Sequence, residues 1–200
     1  MGAYHGPMIT RVLVPIADGF EELEAVTLVD TLRRADLEVA LVSISGREVP
    51  GSRGVHVVAD ALWGEVEPAS FDAVVLPGGL EGTLALAEHQ GLLEALRASA
   101  ARGAPVAALC AAPLVLEAAG LLQGRAFTCH PSVTDRFPAP GPVEDRVVAD
   151  GALVTSRGPG TALEFALALV ARWRGEAVAA GLADAMVAPE GTSRAWSDLG

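Results

Sequence analysis

The chain of 200 residues contains no lysine and no asparagine, so its 14 basic residues are all arginine. Without lysine there is no Schiff-base catalysis of the aldolase or pyridoxal type, and no phosphate loop with its phosphate-contacting lysine. Positive charge is also scarce. Twenty-five acidic residues leave a formal charge of −11, and such a chain lacks the basic surface that neutralises nucleic-acid phosphates. Two cysteines, Cys110 and Cys129, are too few for a disulfide scaffold or a Cys-rich zinc site, and they fit a reducing, cytoplasmic setting. Met1 to Thr10 lacks the basic and apolar regions of a signal peptide. The most apolar stretch, Val106 to Leu122, contains Pro113 and Glu117, and reads as a buried strand entering a helix rather than a membrane span. No metal, cofactor, nucleic acid or membrane partner is expected.

What is present suits one α/β domain. Hydrophobic residues make up 51% of the chain, enough for a sizeable core. Short apolar runs at Arg11–Ile16, Glu38–Ile44, Asp72–Leu76 and Pro105–Leu109 read as buried strands, and Arg125–Cys129 as another. Ser45–Ala59 reads as a turn with short antiparallel strands, and Arg146–Ser156 as a hairpin. Helical patterns occupy Glu21–Asp36, Leu80–His89, Gly91–Arg102, Ala111–Gly120 and Thr161–Arg174. In the first of these Leu23, Val26, Leu28, Val29 and Leu32 form the expected core-facing stripe. Alternating strands and helices predict a doubly wound, mostly parallel sheet covered on both faces. The expected organisation is an N-terminal extension over residues 1–10, a domain over 11–187 and a mobile tail over 188–200.

In such sheets, sites lie at the carboxyl ends of the strands. Cys110 falls between a strand and a helix with Ala108 and Ala112 two residues either side, as a nucleophile elbow requires. Pro113 suits a helix's first turn, whose N-terminus would favour the thiolate. A small buried apolar thiol is the alternative. Pro77-Gly78-Gly79 lets backbone amides approach a ligand as an oxyanion site does, or simply ends a strand. Neither its spacing nor that of Gly158-Pro159-Gly160 fits a dinucleotide fingerprint. Glu21, Glu22 and Glu24 complement a helix dipole, and one of them can instead point over the sheet's end. His130, after a strand ending near Cys110, is a candidate acid/base partner or a structural histidine. Arg33, Arg53 and Arg157 are candidates for an anion-binding or dimer-stabilising set, with helix-end ion pairing the simpler role for Arg33.

Five segments in order resemble the ThiJ/PfpI superfamily, in the branch of Parkinson disease protein 7 and bacterial YajL-like proteins. They are Ala17-Asp-Gly-Phe-Glu-Glu-Leu-Glu24, Leu76-Pro-Gly-Gly79, Ala107-Ala-Leu-Cys110-Ala-Ala-Pro113, Thr128-Cys-His130-Pro131 and Thr155-Ser-Arg157-Gly-Pro-Gly160-Thr161. The resemblance, spanning about Arg11 to Val187, implies a flavodoxin-like fold, a homodimer, and a low-pKa, oxidation-prone Cys110 hydrogen-bonded to Glu24. A protonated Glu24 would then donate to the sulfur or to a sulfinate oxygen. Ala111 replaces the histidine of the peptidase-like branch. Cys129 is not fixed by the family pattern, and a Cys110–Cys129 disulfide is not expected.

The resemblance implies a cofactor-independent, glutathione-independent glyoxalase acting on methylglyoxal and related 2-oxoaldehydes, a chemistry also described as protein deglycation. Cys110 would attack the aldehyde, Gly79 and Ala111 amides beside Gly78 would hold the oxyanion, and Glu24 or His130 would move the proton. Small reactive aldehydes or glycated protein side chains would be its partners. A redox sensor or chaperone-like stress protein acting through Cys110 oxidation is the alternative from another class. A class I glutamine amidotransferase is disfavoured because Pro131-Ser132 follows His130, and a peptidase is disfavoured by Ala111.

Overall fold

The computed structural model describes residues 8–193 and residue 196. Seven strands form one sheet in the order β5-β2-β1-β6-β7-β9-β8. They are β1 (Arg11–Ile16), β2 (Glu38–Ser43), β5 (Ala61–Leu62), β6 (Ala73–Leu76), β7 (Val106–Leu109), β8 (Val147–Asp150) and β9 (Leu153–Ser156). All neighbours are parallel except β8, which pairs antiparallel with β9. A small hairpin of β3 (Glu48–Pro50) and β4 (His56–Val58) stands apart.

The apolar runs are continuous because both faces of the sheet are covered, and the two-residue period sorts the side chains between them. Val12, Val14 and Ile16 of β1, Val75 of β6 and Leu109 of β7 enter one core layer; Leu13, Val74, Leu76 and Ala108 enter the other. The first layer is roofed by α1 (Glu22–Arg34), α5 (Ala162–Arg174) and α6 (Glu176–Ala185). The second is roofed by α2 (Leu80–Glu88), α3 (Gln90–Ala101) and the short α4 (Pro113–Ala118). Helix α5 carries Phe165 to Val170 fully buried, as a helix enclosed by sheet and neighbouring helices must.

Several expectations are corrected. The core-facing side of α1 is Glu24, Ala25, Leu28, Thr31 and Leu32, whereas Leu23 and Val26 are 54% and 51% exposed. The helix is apolar on two stripes, and packing chose the one containing the smaller Ala25. Residues 125–129 form no strand. Both edges of β9 are occupied by β7 and β8, so the segment's amides go elsewhere: Ala126 N–H to Asp150 Oδ2 at 2.9 Å and Thr128 N–H to Thr155 Oγ1 at 2.9 Å. Helix α4 starts at Pro113, not Ala111, because the intervening residues form the elbow. Helix α6 was not anticipated; Gly175, at φ 97°, separates it from α5. At the chain's ends, Ile9 of the expected extension is buried in the first core layer. Trp196, within the expected mobile tail, is 7% exposed in the same layer. The expectations for residues 1–7, 194–195 and 197–200 lie outside the described residues.

Candidate functional site

Cys110 follows β7 with φ 64°, a left-handed conformation that costs a non-glycine residue about 1–2 kcal/mol. Its neighbours hold it there. The Cys110 N–H donates to Ser156 O at 2.9 Å, and its carbonyl accepts from His130 N–H at 2.8 Å. The elbow is therefore tied to β9 on one side and to the 128–130 segment on the other, and the thiol projects with partial exposure at the carboxyl end of the sheet.

Gly78 and Gly79 follow β6 beside it. A Cβ on Gly78 would lie 2.6 Å from Cys110 Cβ, 3.1 Å from Cys110 Sγ and 2.7 Å from Glu24 Oε2, so only glycine lets thiol and carboxyl meet there. Gly79, at φ 90°, would drive a Cβ into backbone atoms of Gly19, Phe20 and Glu21 at 2.4–2.6 Å. The amides of Gly79 and Ala111 both face the sulfur and favour its anionic form.

Glu24 is 0% exposed. Its Oε2 accepts the Gly78 N–H at 2.7 Å, and its Oε1 has no hydrogen-bond partner. Burial raises its pKa to about 7 against the Gly78 and Cys110 hydrogen bonds, with the Glu21 charge adding to the rise. The thiol is raised too, first by burial, then by the charge and hydrogen bond of Glu24; the Gly79 and Ala111 amides oppose this without overcoming it. The expected lowering by a helix start is thus reversed. The physical content is one proton shared by two buried acids. With the proton on Glu24, its upward push on the thiol disappears and the sulfur is left facing two amides.

His130 caps the turn beginning at Pro131. Its Nδ1 accepts the Ser132 N–H at 3.2 Å and lies 2.8 Å from Ser132 Oγ. With Nδ1 accepting, Nε2 is the ring nitrogen that acts as a hydrogen-bond donor. The ring packs over Gly158, where a Cβ would come 3.0 Å from Cδ2.

The three arginines do not form one set. Arg33 bonds Asp60 Oδ2 at 2.6 Å and Val39 O at 2.8 Å, near the opposite end of β2. Arg53 gives its backbone N–H to Glu22 Oε1 at 2.6 Å. Arg157 donates to Glu144 O at 2.8 Å, and its charge reaches Cys129. Cys129 is a free, buried thiol 3.4 Å from His130 O and 3.8 Å from Thr134 Oγ1, raised by burial. Among the described residues no acidic, His and Cys cluster has the form of a metal site.

Sequence reasoning missed Ser132 and the use made of Glu22. Ser132 was legible as the second residue after the His130 cap. Glu22 was not, because its partners are some 30 residues away.

The DJ-1/PfpI family model matches residues 10–172. The chain belongs to this family. It is 46% identical over 167 residues to Protein DJ-1 homolog B of Arabidopsis thaliana, covering 82% of this chain and 38% of that protein. The chain thus spans about two fifths of that plant protein. It is 37% identical over 161 residues to the glutathione-independent glyoxalase DJR-1.2 of Caenorhabditis elegans, covering 80% of this chain and 85% of that one. The solved structure of oxidized Toxoplasma gondii DJ-1 superposes with a TM-score of 0.86 at 40% identity, covering 89% of this chain and 98% of that one. The mostly parallel sheet and paired helical layers are accordingly the DJ-1 version of the flavodoxin-like fold.

Proposed function

We propose that this DJ-1/PfpI protein is a glutathione-independent glyoxalase that converts methylglyoxal and related 2-oxoaldehydes to 2-hydroxy acids. The observation that carries the reading is the meeting of Cys110, Glu24 and two inward-facing amides at one point. The name of the worm relative supports the substrate class. Cys110 attacks the aldehyde carbon while its proton passes to Glu24. The carbonyl electron pair moves to oxygen beside the Gly79 and Ala111 amides. Glu24 returns that proton to the oxyanion, giving the hemithioacetal, and its freed carboxylate then removes the former aldehyde hydrogen and delivers it to the neighbouring carbon through an enediol, while the hydroxyl proton passes to the former ketone oxygen, producing an enzyme thioester. Water cleaves the thioester, so the aldehyde carbon is oxidised and the ketone carbon reduced within one molecule; no external oxidant is needed. His130 donates from Nε2 rather than serving as the base.

The test is lactate formation from methylglyoxal without glutathione. Cys110→Ser is expected to lose at least about 100-fold in rate; equal rates for variant and wild type refute the nucleophile. Protein deglycation is the same thiol chemistry acting on a protein-bound aldehyde adduct.

A homodimer is part of the proposal. The exposed stripe Leu23 and Val26 on α1, continued by Val55, is a surface suited to a second copy. Among the described residues no helix is long and apolar enough to cross a membrane, and two free thiols suit a cytoplasmic location. A second reading, oxidation sensing in oxidative stress, is favoured by Glu24 Oε1, which lacks a partner in the reduced protein. Stable Cys110 sulfinate after mild peroxide, with negligible aldehyde turnover, selects it.

A further inference from the structure

On the side of the sheet that carries the second core layer, a cavity of about 720 Å³ opens between the turn after α4 and the loop over residues 138–143. That is the size of a site for a small organic ligand. Leu122 and Phe127 form its inner wall, both buried in the second layer, and the Phe127 ring is held by Phe137 at 5.0 Å between centroids. The loop contributes Pro138, Pro140, Pro142 and Val143. Proline has no N–H, and the amides of Gly141 and Val143 already donate to Pro138 O at 2.9 Å and Phe127 O at 2.8 Å. This wall therefore presents ring hydrocarbon and carbonyl oxygen, with few donors to offer. The charged side chains of the lining are Glu117 and Arg125. The Arg125 guanidinium is turned to Asp150, 3.0 Å from its carbonyl and 3.7 Å from its carboxylate. Glu117 has no hydrogen-bond or ion-pair partner among the described residues. Neither Cys110, Glu24 nor Gly78 lines the cavity, and Ile9 and Trp196, near the two ends of the chain, pack in the other core layer.

We propose that this cavity is a second binding site, separate from the thiol, for a small organic cation: an ammonium group carried on an aromatic or other apolar body. The body lies against Phe127, Leu122 and the proline rings, and the ammonium is directed to the Glu117 carboxylate and to carbonyl oxygens of the loop. An ammonium brings three N–H donors and no acceptor, which is what a wall of acceptors can satisfy. A carboxylate ligand brings acceptors alone, meets the charge of Glu117, and gains a guanidinium only by drawing Arg125 from Asp150. A neutral alcohol with the same body keeps the apolar contacts and loses the charge attraction. The inference uses no part of the glyoxalase reading.

Three indole compounds test it, because they share one body and differ in charge: tryptamine is a cation, tryptophol is neutral and indole-3-propionate is an anion. Each is titrated into the isotope-labelled full chain and followed by amide NMR. Tryptamine is expected to bind with a Kd on the order of 0.1–1 mM, as its size allows, and to shift the amides of Gly124, Ala126, Phe127 and Val143. Tryptophol should bind about fivefold more weakly and indole-3-propionate about tenfold or more. Glu117→Gln, at a half-buried position, should bring tryptamine down to the affinity of tryptophol and leave tryptophol unchanged. Val143→Trp, which places a ring in the cavity, should weaken tryptamine and tryptophol alike by about tenfold or more. Cys110→Ser should bind tryptamine as the parent chain does. Equal affinity for the three compounds, a tryptamine affinity unmoved by Glu117→Gln, or shifts confined to the residues around Cys110 overturns the inference. Loss of binding in Cys110→Ser places the ligand at the thiol and overturns it as well. Methylglyoxal turnover should persist in Glu117→Gln, so failure of this site and failure of the aldehyde reading are told apart.

Discussion

Glu22 and Glu24 stand two residues apart in the first turn of α1, both in the buried set of that helix, and the fold drives their ionisation in opposite directions. Around Glu22 the chain from Ser52 to Val55 wraps the carboxylate. Arg53 N–H donates to Oε1 at 2.6 Å, Val55 N–H to Oε1 at 3.2 Å and Ser52 Oγ to Oε2 at 3.2 Å. Burial pushes its pKa up, but the backbone amides outweigh burial and hold it below the usual carboxylate value. Glu24 receives one amide, from Gly78, and burial wins. The difference lies in the number of donors. A carboxylate that a loop has saturated with N–H groups is a structural anchor, whereas one left with a bare oxygen beside a thiol is a reactive group.

The largest expected effect breaks the reactive half of the pair. Glu24→Gln should lower lactate formation by about 100-fold or more, since the amide cannot carry the proton although it fills the same space. The same variant has a stability signature. The folded pKa of Glu24 lies near 7, above the unfolded carboxylate value, so the folded state binds the extra proton. Stability from this group is full below the unfolded value and falls as pH rises to about 7, by on the order of 3 kcal/mol. In Glu24→Gln that decline should vanish from denaturation curves measured across the window; its persistence would show that another group titrates.

Glu22→Gln sharpens the anchoring half. It should cost about 1–3 kcal/mol in urea denaturation and speed amide exchange at Arg53 and Val55, leaving the alkylation chemistry of Cys110 in place. Because the folded pKa of Glu22 is lowered, its contribution is present above the unfolded value and lost as pH falls. The two acids together therefore favour the fold most near the ordinary carboxylate pKa, each penalising a different side.

The smallest effect concerns the second thiol. Cys129→Ala should change stability by about 1 kcal/mol and leave the rate of Cys110 alkylation unaltered, because the Cys129 sulfur is directed to Thr134 and the His130 carbonyl. A changed Cys110 rate would mean that the two sulfurs communicate.

Much of this is legible in the sequence. The runs at β1, β6 and β7 declared themselves because burial on both faces leaves no alternation to read, and Pro77-Gly78-Gly79 marked a close approach of backbone. Glu24 stood out by its place in an ordered set of motifs, not by periodicity, which favoured Leu23 and Val26 as core residues. The misjudged features depend on distant partners. Residues 125–129 have strand-like composition, but β8 had already taken the free edge of β9. The direction in which the Cys110 thiol shifts depends on a carboxylate 86 positions earlier in the chain, and Arg33 and Arg157 are separated by the geometry of the sheet. Local sequence names the reacting groups; the balance of burial against donors, which sets their protonation, is assembled only by the fold.

The two amides at the sulfur belong to different strands: Gly79 lies just beyond β6 and Ala111 just beyond β7. Their separation is fixed by the parallel register Val74↔Val106, Val75↔Ala107, Leu76↔Ala108. The sheet thus behaves as a ruler, and the thiol reads its calibration. A core substitution that shears β6 against β7 by a fraction of an ångström would misalign the donors while leaving every ladder bond formed, so Cys110 reactivity should drift before the melting temperature does. The sulfur is in that sense a built-in strain gauge for the centre of the sheet.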